Sequence, residues 1–126
     1  MDKQIFAGEW KIMEFLWESS PRTLMEIVHA MAAETGWAKS TVTTMVTRME
    51  AKGLLRFEEG GRAKKIYPAV SREDAASAET DTLLNKAYKG SASLLMSALV
   101  EQKRLNRKDI DELYAMLRKA EEETNG

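Results

Sequence analysis

The order of the patterns in residues 1–70 is the feature that most constrains the fold of this chain. Apolar residues recur at helical spacing in three successive segments: Gly8–Trp17, Thr23–Gly36 and Lys39–Lys52. Two short extended runs follow, Leu54–Phe57 and Ala63–Val70. The glycine pair between these runs, Gly60-Gly61, favours a tight turn. The sequence therefore predicts three helices followed by a β-hairpin.

The third helical segment is unusual on the side opposite its apolar stripe. Val42, Met45, Val46 and Met49 form the stripe, whereas four threonines and one serine lie among residues 40–47. Threonine has a lower helix propensity than the long charged residues and alanine that commonly cover a solvent-facing side. Short hydroxyl side chains let a helix approach another surface closely, and they can bond to phosphates or base edges. A polar surface without a partner is the alternative explanation.

The positive charge of the chain is concentrated in one segment. The formal net charge is −1 overall, yet residues 37–67 contain seven Lys and Arg against three Glu, a local net charge of +4. The other parts are negative, with −3 in residues 1–36 and −2 in residues 68–126. Attraction to phosphate depends on the local field rather than on the net charge. On charge alone, a chance cluster on a solvated face is an equally good explanation.

Three helices followed by a basic hairpin are arranged in the order of a winged helix, a variant of the helix-turn-helix. The third helix would enter the DNA major groove, which is wide enough for one α-helix, and the hairpin would lie beside it. We therefore predict a mainly α fold with a small β-hairpin wing, in which residues 1–70 form a winged-helix DNA-binding domain. The predicted DNA-binding residues lie in the third helix and the wing: Lys39, Ser40, Thr41, Thr43, Thr44, Arg48, Arg62, Lys64 and Lys65.

The pattern of caps and apolar stripes in residues 71–126 predicts a second, helical region. Ser71 begins a helix-capping signature, Gly90 interrupts the helical pattern, and Asn106 caps a last helix. These helices can cover little of the winged helix without obstructing its DNA face, so we expect their apolar stripes to pair with a second copy. Completion of a monomeric core is the alternative. The predicted dimerisation residues are Leu83, Leu84, Tyr88, Leu94, Leu95, Leu99, Ile110, Leu113 and Leu117.

The residue types that many enzymes use for catalysis are scarce in this chain. His29 is the only histidine, and there is no cysteine, so no paired-histidine or thiolate metal site and no Ser-His-Asp arrangement is predicted. Gly60-Gly61 is not part of a GxxxxGK[ST] phosphate-binding loop. We predict no enzymatic activity and no cofactor. Because neither a signal peptide nor a long apolar run is recognisable, we expect a cytoplasmic protein without membrane insertion.

A series of short motifs extends along nearly the whole chain. Its members are Glu9-Trp10-Lys11-Ile12-Met13, Leu16-Trp17, Gly36-Trp37, Ser40-Thr41-Val42, Thr47-Arg48-Met49, Lys52-Gly53, Gly61-Arg62, Tyr67-Pro68-Ala69-Val70-Ser71, Tyr88-Lys89-Gly90, Leu105 and Asp111-Glu112-Leu113. In this combination the chain resembles the penicillinase repressor family (the BlaI/MecI/CopY group). The resemblance implies a homodimeric winged-helix repressor of dyad operators, often near genes for β-lactam resistance, peptidoglycan response or copper handling.

The chain departs from this family pattern at three places. Thr43 stands where family members often have Lys or Arg, which implies a different operator contact. The cysteine-rich C-terminus of the copper-responsive members is absent, so copper sensing by that route is not expected. In the penicillinase repressors, a membrane sensor protease cuts an Asn-Phe bond in the dimerisation region. The matching positions here are Ala98 and Leu99, which are the candidate site of proteolytic release.

The predicted function combines these expectations. The chain is expected to be a transcriptional repressor that binds a palindromic operator as a homodimer and controls β-lactam or cell-wall stress response genes. The expected partners are double-stranded operator DNA, a second copy of the chain and a membrane sensor protease. The alternative is a winged helix that serves as a protein-interaction module without a specific DNA site.

Overall fold

A computed structural model describes residues 4–125 of the chain. The helices in this range are α1 (Ala7–Glu18), α2 (Leu24–Thr35), α3 (Lys39–Ala51), α4 (Arg72–Ala87), α5 (Ala92–Glu101) and α6 (Arg107–Asn125). The strands are β1 (Leu55–Glu58) and β2 (Lys65–Pro68), which pair in antiparallel fashion. This order confirms the predicted mainly α fold with a small hairpin wing. The chain divides into two compact units between Thr80 and Asp81, so α4 begins in the first unit and ends in the second.

Helix α2 begins and ends at local signals in the sequence. The Thr23 hydroxyl accepts a hydrogen bond from the Glu26 N–H at 3.2 Å, while the Glu26 carboxylate accepts one from the Thr23 N–H at 2.9 Å. This reciprocal pair satisfies two backbone donors that the first turn leaves open. At the other end, Gly36 has a φ of +79°, in the left-handed region where glycine is free of Cβ strain. The second helix is therefore defined by its own caps.

The core of the first unit lies where the apolar stripes of α1, α2 and α3 meet the hairpin. Val42, Val46 and Met49 are buried as predicted, whereas Met45 at the edge of the stripe is only partly buried. The fully buried large side chains are Ile12, Met13, Leu16, Ile27, Met31, Val42, Met49 and Leu54. Burial of a large apolar side chain contributes about 1.5–3 kcal/mol, so this cluster is the main source of stability of the first unit.

The hairpin is shorter than the sequence predicted. Only Lys65–Pro68 of the expected second strand is paired, because β1 offers four partners and Glu58, opposite Lys65, is its last residue. The sheet gains one contact that sequence reasoning missed. Arg22, which follows the break after α1, exchanges two backbone hydrogen bonds with Ile66, at 3.1 and 2.8 Å. The base of the wing is thereby attached to the segment before α2.

The second unit consists of the end of α4 together with α5 and α6. Ser91 caps α5 by accepting a hydrogen bond from the Leu94 N–H at 3.1 Å. Asn106 caps α6 in the same way, accepting from the Asp109 N–H at 2.8 Å. No residue between 81 and 125 is buried. Within the part of the chain that the structure describes, no helix is long and apolar enough to cross a membrane.

Candidate nucleic-acid interface

Helix α3 is held by a tight turn and by a close approach of α1. The Trp37 N–H donates to the Thr35 hydroxyl at 3.1 Å, which orders the turn between α2 and α3. A Cβ on Gly8 would lie only 3.3 Å from Met45 Cε and 3.3 Å from Trp37 Cη2. Glycine at this position therefore lets the start of α1 lie directly on Trp37 and Met45. The apolar side of α3 is fixed, and its opposite side faces outward.

The outward side of α3 carries the residues that the sequence singled out. Thr43 is partly buried at the edge of this side. The other predicted contact residues of α3 are exposed: Lys39, Ser40, Thr41, Thr44 and Arg48. Thr47, which was not among the predicted contacts, is exposed on the same side. The α3 part of the predicted interface is therefore a single, nearly continuous polar surface.

The threonine hydroxyls on α3 fall into two groups. Thr43 donates to the Lys39 carbonyl at 2.8 Å, and Thr47 donates to the Thr43 carbonyl at 2.9 Å. These two hydroxyls already have an acceptor within the helix, and their oxygens remain available as acceptors. Among residues 4–125, the hydroxyls of Thr41 and Thr44 bond to no partner. They can therefore donate to an external acceptor without breaking an existing bond.

The first turn of α3 is suited to an anion. Its N-cap residue is Ala38, which forms no side-chain hydrogen bond to the helix, and the first turn contains no acidic residue. The amide groups at a helix N-terminus carry a partial positive charge that attracts phosphates. Lys39, the first residue of the helix, is exposed and adds a full positive charge. Charge and open backbone donors thus coincide at this end of α3.

The tip of the wing carries the second group of predicted contacts. Gly61 has a φ of +71°, a conformation that an L side chain rarely adopts, so glycine is needed for the turn. Arg62, Lys64 and Lys65 are all exposed. The Lys64 ammonium lies 5.1 Å from the centre of the Phe57 ring, within cation–π distance, and the side chain remains exposed. The structure thus presents all three cations of the predicted wing group to solvent.

The side of the wing contains a polar cluster that sequence reasoning missed. The guanidinium carbon of Arg56 lies 4.1 Å from the centre of the Tyr67 ring, and its Nη1 atom lies 3.4 Å from Glu58 Oε2. The Tyr67 hydroxyl donates to Glu58 Oε1 at 3.1 Å. Desolvation raises the pKa of Tyr67, and the bond to Glu58 and its charge raise it further. Arg56 is opposite Tyr67 in the strand register, a pairing that only the register reveals.

A buried ion pair connects the start of α1 to the end of α3. Glu9 is only 4% exposed, and its carboxylate lies 2.7 Å from Lys52 Nζ. The same carboxylate oxygen accepts from the Phe6 N–H at 2.9 Å. Lys52 also donates to the Gln4 carbonyl at 2.9 Å and lies 4.0 Å from the centre of the Phe6 ring. Sequence reasoning did not pair Glu9 with Lys52, because 43 positions separate them.

The second unit presents an apolar face instead of a core. None of the predicted dimerisation residues is buried, and Leu83, Leu94 and Leu117 are exposed. An open apolar groove of about 570 Å³ runs between α5 and α6. It is lined by Met96, Val100, Lys103, Leu105, Ile110, Leu113, Tyr114 and Leu117. Most of the lining was outside the predicted set, although Tyr114 has the helical spacing of the stripe on α6.

The candidate cleavage residues lie within a regular helix. Ala98 and Leu99 are in the second half of α5, and both are partly buried. The Ala98 carbonyl accepts a helical hydrogen bond from the Gln102 N–H at 3.0 Å. A protease that cuts between these residues requires an extended backbone, so α5 would have to unwind locally first. His29, the only histidine, is exposed on α2, and residues 4–125 contain no cluster suited to a metal ion.

The fold of the first unit matches two solved structures of a DNA-binding repressor. The solution structure of the DNA-binding domain of the repressor BlaI matches with a TM-score of 0.53 and 26% identity, covering 57% of this chain and 88% of that one. The Bacillus licheniformis BlaI monomer in complex with the blaP half-operator matches with a TM-score of 0.52 and 27% identity, covering 56% and 87%. The first unit is therefore a winged helix.

The relatives by sequence extend over nearly the whole chain. The methicillin resistance regulatory protein MecI of Staphylococcus aureus (strain N315) is 26% identical over 116 residues, which cover 92% of this chain and 94% of that protein. A penicillinase repressor of Bacillus licheniformis is 26% identical over 114 residues, covering 90% and 89%. The family model for the penicillinase repressor matches residues 7–119. The chain belongs to the penicillinase repressor family, whose members are transcriptional repressors and not enzymes.

Proposed function

We propose that the protein is a transcriptional repressor that binds a palindromic DNA operator through α3 and the wing. The observation that carries this proposal is the exposed face of α3, where short hydroxyl side chains lie between Lys39, beside an open helix N-terminus, and Arg48 in the last turn. A helix with this surface fits the major groove, in which each base pair presents a distinct pattern of donors and acceptors. The solved complex of BlaI with a half-operator supports the same use of this fold.

The predicted contact residues divide into two roles. The side chains of Ser40, Thr41, Thr43 and Thr44 are short, so α3 can approach the floor of the groove closely enough for their hydroxyls to reach base edges. The cationic residues neutralise phosphates, and each phosphate contact adds about 0.9 to the slope of log affinity against log salt. These cations are Lys39 and Arg48 on α3, and Arg62, Lys64 and Lys65 on the wing.

The second unit supports the proposal of a homodimer. A unit without one buried residue between positions 81 and 125 has no core of its own. Small units of this length need a partner surface to remove their apolar side chains from water. The groove between α5 and α6 and the exposed leucines provide such a surface. Two-fold pairing would place two α3 helices about one DNA turn, or a multiple of it, apart.

The regulatory setting is proposed from the relatives. MecI is a methicillin resistance regulator and the Bacillus licheniformis relative is a penicillinase repressor. We infer that this chain acts in the cytoplasm on genes of β-lactam or cell-wall stress response. Cleavage between Ala98 and Leu99 by a membrane sensor protease is the proposed release step. An intact chain after full induction of the target genes would rule out this step.

The test of DNA recognition begins with selection of duplexes from a random pool by the wild-type protein. Fluorescence anisotropy then compares the selected duplex with a scrambled one at two salt concentrations. Arg48→Ala and Lys64→Ala should each weaken binding about three- to ten-fold and lower the salt slope by about one. Lys108→Ala, which removes the same charge from α6, should bind as the wild type does. Equal affinity for selected and scrambled duplexes would contradict sequence-specific recognition and favour a protein-interaction module.

A further inference from the structure

We propose that a latch formed by Glu14, Trp17, Val70 and Arg72 fixes the direction in which α4 leaves the winged helix. This direction sets the spacing of operator half-sites that a dimer accepts. The inference rests on the proposed function, since it requires two winged helices to bind one palindrome. It goes further by assigning spacing specificity to residues that lie in neither α3 nor the wing.

The latch joins the end of α1 to the start of α4. The Trp17 Nε1–H donates to the Val70 carbonyl at 2.9 Å. The guanidinium carbon of Arg72, the first residue of α4, lies 5.0 Å from the centre of the Trp17 ring. Arg72 also forms an ion pair with Glu14, which lies one turn before Trp17 on α1. The Trp17 ring is held in turn by an edge-to-face contact with Trp10, at 5.7 Å between ring centres. A hydrogen bond, a cation–π contact and an ion pair therefore restrain the base of α4.

Beyond this base, α4 leaves the core of the first unit. Ala75 is the only buried residue of the helix. Every residue from Ala76 to Leu83 is exposed. Packing along this stretch is therefore too slight to set the direction of the helix. The direction is determined by the contacts at its base.

A small change in the angle of α4 at its base moves the far end of the helix by a distance comparable to one base-pair step of DNA. Residues 76–87 span about 18 Å at a rise of 1.5 Å per residue. A tilt of about 10° at the base moves the far end by about 3 Å. Successive base pairs are about 3.4 Å apart along the helix axis. A tilt of this size therefore displaces each winged helix by nearly one base pair, and because both copies of a two-fold dimer tilt, their separation changes by up to about two base pairs. A dimer in which the base of α4 is loosely held would therefore accept several half-site spacings.

The test uses the full-length protein and duplexes with two selected half-sites. The spacing between the half-sites is the selected one, or one or two base pairs longer or shorter. The wild-type protein should favour its selected spacing by about ten-fold over a change of one base pair, equivalent to about 1.4 kcal/mol. Trp17→Phe, which removes the indole donor, and Glu14→Gln, which removes the ion pair, should reduce this preference to about three-fold or less. Both variants should bind a single half-site as the wild type does.

Lys11→Gln is the matched control, because it breaks an exposed ion pair of the same helix, with Glu34, that involves no residue of the latch. It should retain the wild-type spacing preference. A full preference in both latch variants would overturn the inference. An equal loss at every spacing and on the half-site would overturn it too, because that result indicates a purely structural role. If Trp17→Phe does not fold, Glu14→Gln decides the question, since its side chain is 49% exposed.

Failure of the proposed function is distinguishable from failure of the latch. If the wild-type protein selects no two-fold site, operator binding by a dimer is wrong and the inference is wrong with it. If the wild-type protein selects a two-fold site with a sharp spacing and the latch variants keep that sharpness, only the latch is wrong. The first result is read from the wild type alone and the second from the variants.

Discussion

At the scale of single residues, the Lys52 side chain connects the end of α3 to the segment that begins α1. It contacts the Glu9 carboxylate, the Gln4 carbonyl and the Phe6 ring. Lys52→Met would leave the Glu9 carboxylate buried with only the Phe6 N–H as a partner. Loss of one member of a buried ion pair costs about 3–5 kcal/mol, and because Lys52 is partly exposed we expect the free energy of unfolding in urea to fall by about 3 kcal/mol.

Two further variants separate the ion pair from the loss of a lysine. The double variant Glu9→Gln/Lys52→Met no longer buries a charge and should regain at least half of the lost stability. Lys11→Met removes a lysine whose partner Glu34 is at 3.1 Å but exposed, and should cost less than about 0.5 kcal/mol. If the double variant is as unstable as Lys52→Met alone, the buried charge is not the cause.

Whether the environment of a residue could be predicted from the sequence depended on how far along the chain its partner lies. The exposure of Thr44 and Arg48 follows from the period of α3 alone, and the structure agrees. The burial of Glu9 does not follow from its helix, because it depends on Lys52 at the far end of α3. Trp17 read as part of an apolar stripe, yet its nitrogen bonds to Val70 in a distant segment. Local periodicity carries no information about such pairs.

At the scale of elements, the turn between α2 and α3 depends on the backbone of one residue. Gly36 has a φ of +79°, and a Cβ there would meet no atom within 4 Å. The cost of a side chain at this position is therefore conformational and not steric crowding by neighbours. Gly36→Ala should lower stability by about 1 kcal/mol, which in a unit of this size lowers Tm by about 4–8 °C. Thermal unfolding followed by circular dichroism measures the change.

Gly36→Asn is the control for that turn, because asparagine tolerates the left-handed region better than alanine does. Its Tm should lie between those of Gly36→Ala and the wild type. A Tm for Gly36→Ala equal to that of the wild type would mean that the turn relaxes to another conformation at no cost.

The ends of the elements were predictable where they depend on local chemistry. Thr23 and Gly36 define α2 through caps that the sequence displays. The second strand was predicted too long, because its length is set by the partner strand and not by its own residues. β1 ends at Glu58, so Ala63 and Lys64 have no residue opposite them. The bridge between Arg22 and Ile66 was missed for the same reason.

At the scale of the whole molecule, the two units differ in how they are stabilised. The first has a closed core of buried side chains from three helices and the hairpin. The second has no buried residue between positions 81 and 125, and several of its largest apolar side chains are exposed. We therefore expect the second unit to depend on a second copy for its order. The Tm of its transition should then rise with protein concentration, as it does when association stabilises the folded state.

Leu117→Glu tests this dependence directly. Leu117 is 63% exposed on α6 and lines the groove next to Leu113. In a two-fold interface the change is made twice, and each leucine contributes about 1.5–3 kcal/mol when buried. We expect the dimer dissociation constant, measured by sedimentation equilibrium, to rise at least about 100-fold. Ala115→Glu places the same charge on the opposite side of α6 and should leave the dimer intact. A dimeric Leu117→Glu protein, or equal dissociation of both variants, would show that this groove is not the interface.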